Sequence, residues 1–156
     1  MPKITVETEI NASVERCFDA ARDIGLHCQT VAHTGERAVA GVTEGLIGLG
    51  QSVTFEGVHF GVRQRFTAKV TAFEQPRYFV DEMTKGAFQS MSHTHEFIPH
   101  GRSTLMRDIV EWKSPAGLLG AIADALFLIT YMRNLITERG QQLKQAIENV
   151  TNESKT

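Results

Sequence analysis

Two hydrophobic periods divide this chain. Residues 3–10 alternate: Ile4, Val6 and Ile10 face one way, and Lys3, Glu7 and Glu9 the other. A period of two over that length predicts a half-buried strand. Ser13 is placed to cap a short amphipathic helix carrying Val14, Cys17, Phe18 and Ala21. Asp23-Ile24-Gly25 breaks it, and a second short helix is predicted from Leu26 to about His33. From Gly35 the period is again two. It predicts strands over Glu36–Ala40, Gln51–Phe60, Val62–Phe73, Tyr78–Met83, Phe88–Pro99 and Ser103–Lys113. Gly41–Gly50 holds four glycines and predicts a mobile loop or hairpin turn.

After Lys113 the period lengthens. Leu118, Ile122, Leu126, Ile129, Met132, Ile136, Leu143 and Ile147 fall in steps of three, four and seven, one stripe down a helix. Ser114 is its predicted N-cap, Pro115 fits its first turn, and it should run to about Asn149. Burying eight such side chains is worth roughly 12–24 kcal/mol as an upper bound. The rest of the chain must therefore supply a surface to receive them. Six consecutive strands with short turns make an antiparallel meander, and a twisted seven-stranded sheet curls. The helix should fill the concave side. At about 1.5 Å per residue it spans roughly 54 Å, longer than the domain, so it should bend or overhang.

With 156 residues the chain is expected to form one domain, residues 1–150, with a frayed polar tail over 151–156. Sixteen basic and 18 acidic residues leave a net charge of −2 without a long run of one sign, which argues against a nucleic-acid partner. The opening residues read as a strand and not a signal peptide. Leu118–Met132 is the nearest approach to a membrane span and is broken by Gly120, Asp124 and Thr130. Cys17 and Cys28 read as free thiols in a reducing cytoplasm, the expected location.

Strand parity sorts the polar residues. In Ser103–Lys113 the more apolar face carries Thr104, Met106, Val110 and Trp112, and takes Asp108 inward with it. In Phe88–Pro99, Met91, His93, His95 and Phe97 share a face. In Val62–Phe73, Gln64, Phe66, Ala68, Val70 and Ala72 point in. Val53 and Phe55 inward make His59 inward too, unless Gly57 marks a bulge. Tyr78–Met83 is apolar on both parities and stays ambiguous. Enclosing His59, Gln64, His93, His95 and Asp108 dry would cost several kcal/mol unless each found a partner. A ligand-accepting cavity removes that difficulty. Its predicted lining is His59, Gln64, Phe66, Met91, His93, His95, Met106, Asp108 and Trp112, with Leu126, Ile129 and Arg133 from the helix.

Several stretches resemble one family: Ile10–Phe18, Phe79–Met83 with Gly86-Ala87-Phe88, His93–Phe97, and Thr104–Asp108 leading to Pro115-Ala116-Gly117. On these the chain resembles the START-like superfamily, also called SRPBCC, which includes plant pollen allergens and bacterial polyketide cyclase/dehydrase-like proteins. The resemblance covers nearly the whole chain. It implies an α+β helix-grip fold: a seven-stranded curved antiparallel sheet around a long C-terminal helix, with two short helices after the first strand. It also implies a deep pocket for a hydrophobic small molecule, and leaves open whether that molecule is carried or transformed.

His93-x-His95 with Asp108 or His59 has metal-ligand character. The alternative is that one histidine bonds Asp108 and the other lines the cavity, and neither a metal nor a cofactor is expected. Asp108 beside His95 is either a general acid–base pair or a structural ion pair, with Arg133 as another partner for Asp108. Catalytic residues stay unassigned, His95 and Asp108 being the candidates. No nucleophile is evident, and Gly45–Gly50 lacks the Lys-Ser/Thr and helix of a phosphate loop. The helix face with Leu119 and Phe127 would close the pocket rim, form a homodimer contact or serve as a protein-interaction surface. Membrane contact is disfavoured because basic residues nearby are few.

Overall fold

The computed structural model describes residues 1–155. Among them lie β1 (Lys3–Ile10), α1 (Val14–Ala21), α2 (Ile24–Thr30), a 3-10 turn (Ala32–Thr34), β2 (Arg37–Gly41), β3 (Ser52–His59), β4 (Val62–Glu74), β5 (Tyr78–Lys85), β6 (Ser90–His100) and β7 (Ser103–Lys113). The chain ends in α3 (Gly117–Ala123), a π-helical turn (Asp124–Leu128) and α4 (Ile129–Glu153). The strands form one antiparallel seven-stranded sheet in the order β1-β7-β6-β5-β4-β3-β2, so the meander closes by laying β1 on β7. This is the α+β helix-grip architecture expected from the sequence.

Local chemistry sets the boundaries. The backbone N–H of Arg16 donates to Ser13 Oγ at 3.3 Å, as a cap should. The expected break falls at Arg22-Asp23, where the Asp23 carboxylate accepts from the Leu26 N–H at 3.0 Å and starts α2 two residues earlier than expected. Phe60 and Gly61, both at positive φ, make the two-residue hairpin between β3 and β4. The glycine-rich stretch after β2 is pinned, not loose. Ile24 N–H donates to Gly45 O, Ile47 N–H to Arg22 O and Gly50 N–H to Val70 O, and Ile47 is buried.

Alternation holds along β1, β6 and β7 and slips once in β4. A bulge between Val70 and Ala72 pairs Ala72 with Val80 and Phe73 with Phe79. Phe73, not Ala72, therefore turns inward, and its ring meets Phe18 edge-on at 5.2 Å. Phe18 also meets Phe79 and Phe97, forming one apolar cluster under α1. A second cluster gathers Ile4, Val6, Val110 and Trp112 against Met132 and Ile136.

The long helix departs from its predicted course at its start. Ser114 does not cap it, and Pro115 precedes it. Ala116 takes a left-handed conformation (φ 66°), and the Ser114 hydroxyl donates instead to Asp124 Oδ1 at 2.6 Å, beside the Trp112 Nε1–H at 2.9 Å. That carboxylate sits in the π-turn. The wide turn accommodates about one extra residue, which rotates everything upstream by about 100°. Gly120 and Asp124 consequently face the protein, while Leu118 (78% exposed), Ile122 and Leu126 (63%) face out. Downstream the stripe is as predicted, with Met132, Ile136, Leu143 and Ile147 buried. Gly140 lets α4 lie close on β1: a Cβ there would be 2.5 Å from Thr8 Oγ1. The stretch Gly117–Val150 is long and apolar enough to cross a membrane by composition, a property it shares with core helices of this length. α4 continues past Asn149 to Glu153, and Thr156 of the expected tail lies outside the described residues.

Candidate ligand cavity

Between the two apolar clusters the sheet and α4 enclose a cavity of about 540 Å³. Its hydrocarbon wall includes Phe55, Phe66, Val70, Phe79, Met132 and Ile136. Most of its polar lining falls into two clusters, with Gln64 and Ser114 among the residues outside them.

The deeper cluster lies where β5, β6 and β7 run side by side. The register sets Asp81 opposite His93 and His95 opposite Asp108, and alternation turns all four to the concave face. His93 Nε2–H donates to Asp108 Oδ1 at 2.8 Å, and His95 Nε2–H to Asp81 Oδ2 at 2.9 Å. His95 Nδ1 lies 3.0 Å from Asp108 Oδ1, and the imidazoles stack with centroids 3.7 Å apart. From α4, Arg139 Nη1 reaches Asp108 Oδ1 at 3.4 Å, and Nη2 donates to Ala21 O at 3.3 Å. Burial pushes the Asp108 carboxyl up, but donation from His93 and His95 and the Arg139 guanidinium outweigh it and hold it well below the usual carboxylate range. Burial likewise pushes the Asp81 carboxyl up, and the His95 bond outweighs it. Burial would lower His95, yet its two carboxylate neighbours raise it above an ordinary histidine. Burial and the charge on His95 depress His93 to about 4. The cluster thus sets two carboxylates against one guanidinium and two stacked imidazoles.

The second cluster lies further along α4. His27 Nε2–H donates to Glu36 Oε1 at 2.8 Å, His59 Nε2 is 3.7 Å from Glu36 Oε2, and His59 Nδ1 shares a short hydrogen bond with the Tyr131 hydroxyl. Burial pushes Glu36 up, and hydrogen bonding to His27 and His59 brings it down to about 2. Ionised Glu36 therefore stabilises the fold fully above about pH 4.5, and the contribution is lost as pH falls through about 2. That loss is about 3 kcal/mol. Urea midpoints of the wild type and Glu36→Gln across pH 2–5 are expected to converge as pH falls; parallel curves would contradict this coupling.

The family model described as "Polyketide cyclase / dehydrase and lipid transport" matches residues 1–148. The chain belongs to this family. As a member of this family and of the START-like superfamily, it is a hydrophobic-ligand-binding protein in general character. No curated protein sequence matches it. Solved structures share its fold at low identity. TTHA0849 from Thermus thermophilus superposes with a TM-score of 0.79 at 16% identity, covering 96% of this chain and 99% of that one. Ara h 8.0201 gives 0.70 at 11%, with 95% and 98% covered. The major latex-like protein 151 from Panax ginseng gives 0.68 at 11%, with 93% and 96% covered.

In this polyketide cyclase/dehydrase and lipid transport family member, His59, Gln64, Phe66, Met91, His93 and His95 line the cavity. Asp108 lies fully buried behind the two histidines. Five other residues expected in the lining are elsewhere. Met106 and Trp112 are sealed in the apolar clusters. The π-turn swings Leu126 to solvent, and Ile129 packs beside β1 and β7. Arg133 lies outside, donating to Thr5 O at 3.3 Å, and Arg139 holds Asp108 in its place. Sequence reasoning missed Arg139, Tyr131, Glu36 and His27 and left Asp81 undecided. Arg139 had a signal, because it falls on the buried stripe between Ile136 and Leu143.

Proposed function

We propose that the protein binds, and carries through a reducing cytoplasm, a hydrophobic or aromatic small molecule with an oxygen-bearing group at each end of an apolar body. The observation that supports this reading is the spacing of the two polar clusters. Tyr131 and Arg139 are eight residues apart on α4, which places their clusters about 12 Å apart along the axis. Hydrocarbon from Phe55, Phe66 and Ile136 lies in the same wall. His93 spends its Nε2–H on Asp108 and keeps a lone pair on Nδ1 for a ligand hydroxyl. Native mass spectrometry of protein purified from cells is expected to detect a retained small molecule, released on denaturation and held less well by Tyr131→Phe. Recovery of bare protein that also fails to take up a fluorescent apolar probe would overturn the proposal.

A second reading, a cyclase/dehydrase-type enzyme, is favoured by the same His93 lone pair backed by Asp108. It moves the proton-accepting role from His95, both of whose nitrogens face carboxylates, to His93. Under it, His93→Gln would still load ligand but leave it chemically unchanged.

A further inference from the structure

We propose that Asp81, His93 and His95 form a binding site for a divalent first-row transition-metal ion at the deep end of the cavity. A ring nitrogen from each histidine and a carboxylate oxygen of Asp81 lie within 4.8 Å of one another. His95 Nε2 and Asp81 Oδ2 are 2.9 Å apart. Two donors each about 2.1 Å from one ion at the tetrahedral angle are about 3.4 Å apart, so this pair needs to open by only about 0.5 Å to share an ion. The two-histidine, one-carboxylate donor set suits zinc, iron, cobalt or nickel and not the all-oxygen preference of magnesium or calcium.

The support behind these donors is what a metal centre requires. A ligating histidine holds its tautomer by giving its other N–H to a carboxylate. Asp108, fully buried, faces Nε2 of His93 and Nδ1 of His95 together, leaving the opposite nitrogen of each ring for an ion. Arg139 in turn backs Asp108. The present ion pairing leaves Asp108 Oδ2 and Arg139 Nε buried without a hydrogen-bond partner, so the cluster is not satisfied by its own members. The histidine χ2 torsion is soft, and the ring planes already diverge by 29°. The nitrogens away from Asp108 can turn to one ion with the Asp108 contacts kept, His95 Nε2 giving up for it the proton it donates to Asp81. All three donors line the cavity, so the remaining coordination positions face it.

The test uses the intact, ligand-free, chelator-treated protein with Co²⁺ or Zn²⁺ alone. Calorimetry and visible absorption are expected to give one ion per chain and cobalt d–d bands. Asp81→Asn, His93→Gln and His95→Gln should each weaken binding roughly 100-fold or more, and Asp108→Asn by about 10–100-fold. His100→Gln, on the exposed face, should bind as wild type does. Absence of stoichiometric binding to the wild type would overturn the site, as would binding that survives all three ligand substitutions in folded protein. Neither outcome bears on whether an organic ligand occupies the cavity.

Discussion

Asp108→Ala is expected to destabilise the fold by about 3–5 kcal/mol, read as a lower urea midpoint. Asp108 touches His93, His95 and Arg139 together. Without it, a guanidinium that is 3% exposed is left buried with no carboxylate against it. The coupling has its own signature. Arg139→Met made alongside Asp108→Ala removes the stranded charge, and the double variant should recover a large part of the loss. A loss below about 1 kcal/mol for Asp108→Ala would mean that water already solvates the cluster and that these charges do not depend on one another.

Ala123→Trp is expected to move binding and stability in opposite directions. Ala123 ends α3 and lines the cavity. An indole there projects into space that the core leaves open, so the ligand-free protein should melt no lower than wild type and gain up to about 2 kcal/mol. Uptake of an apolar probe should fall roughly 100-fold or more, since the indole occupies the ligand's volume. Calorimetry and thermal melting on the same sample check both arms. Unchanged uptake would place the ligand outside this cavity.

The strands were legible and the helix only half so, for a physical reason. A strand's side-chain period is two whatever its neighbours do. Alternation alone therefore turned His93, His95 and Asp108 to one face, where the structure brings them together. A helix keeps its phase only while each turn closes on the fourth residue. The π-turn at Asp124–Leu128 leaves no mark in the hydrophobic pattern, and it misplaced Leu118, Ile122 and Leu126. The β4 bulge did the same to Ala72 on a smaller scale. Partners were the least legible. Glu36 meets His59, and His59 meets Tyr131, only because the start of β2, the end of β3 and α4 converge, and no spacing in the chain encodes that meeting. Asp81 stayed undecided because β5 has apolar residues on both parities; packing of Phe79 chose its face.

The carboxylate of Asp124 has a wider consequence. It fastens the wide turn to the end of the last strand through Trp112 and Ser114. The greasy vestibule wall of Gly117–Ala123 thus hangs from two polar latches, while the hydrocarbon interior is built from other residues. A change at Ser114 would therefore bear on the cavity wall alone, whereas one at Trp112 would reach the packed interior as well.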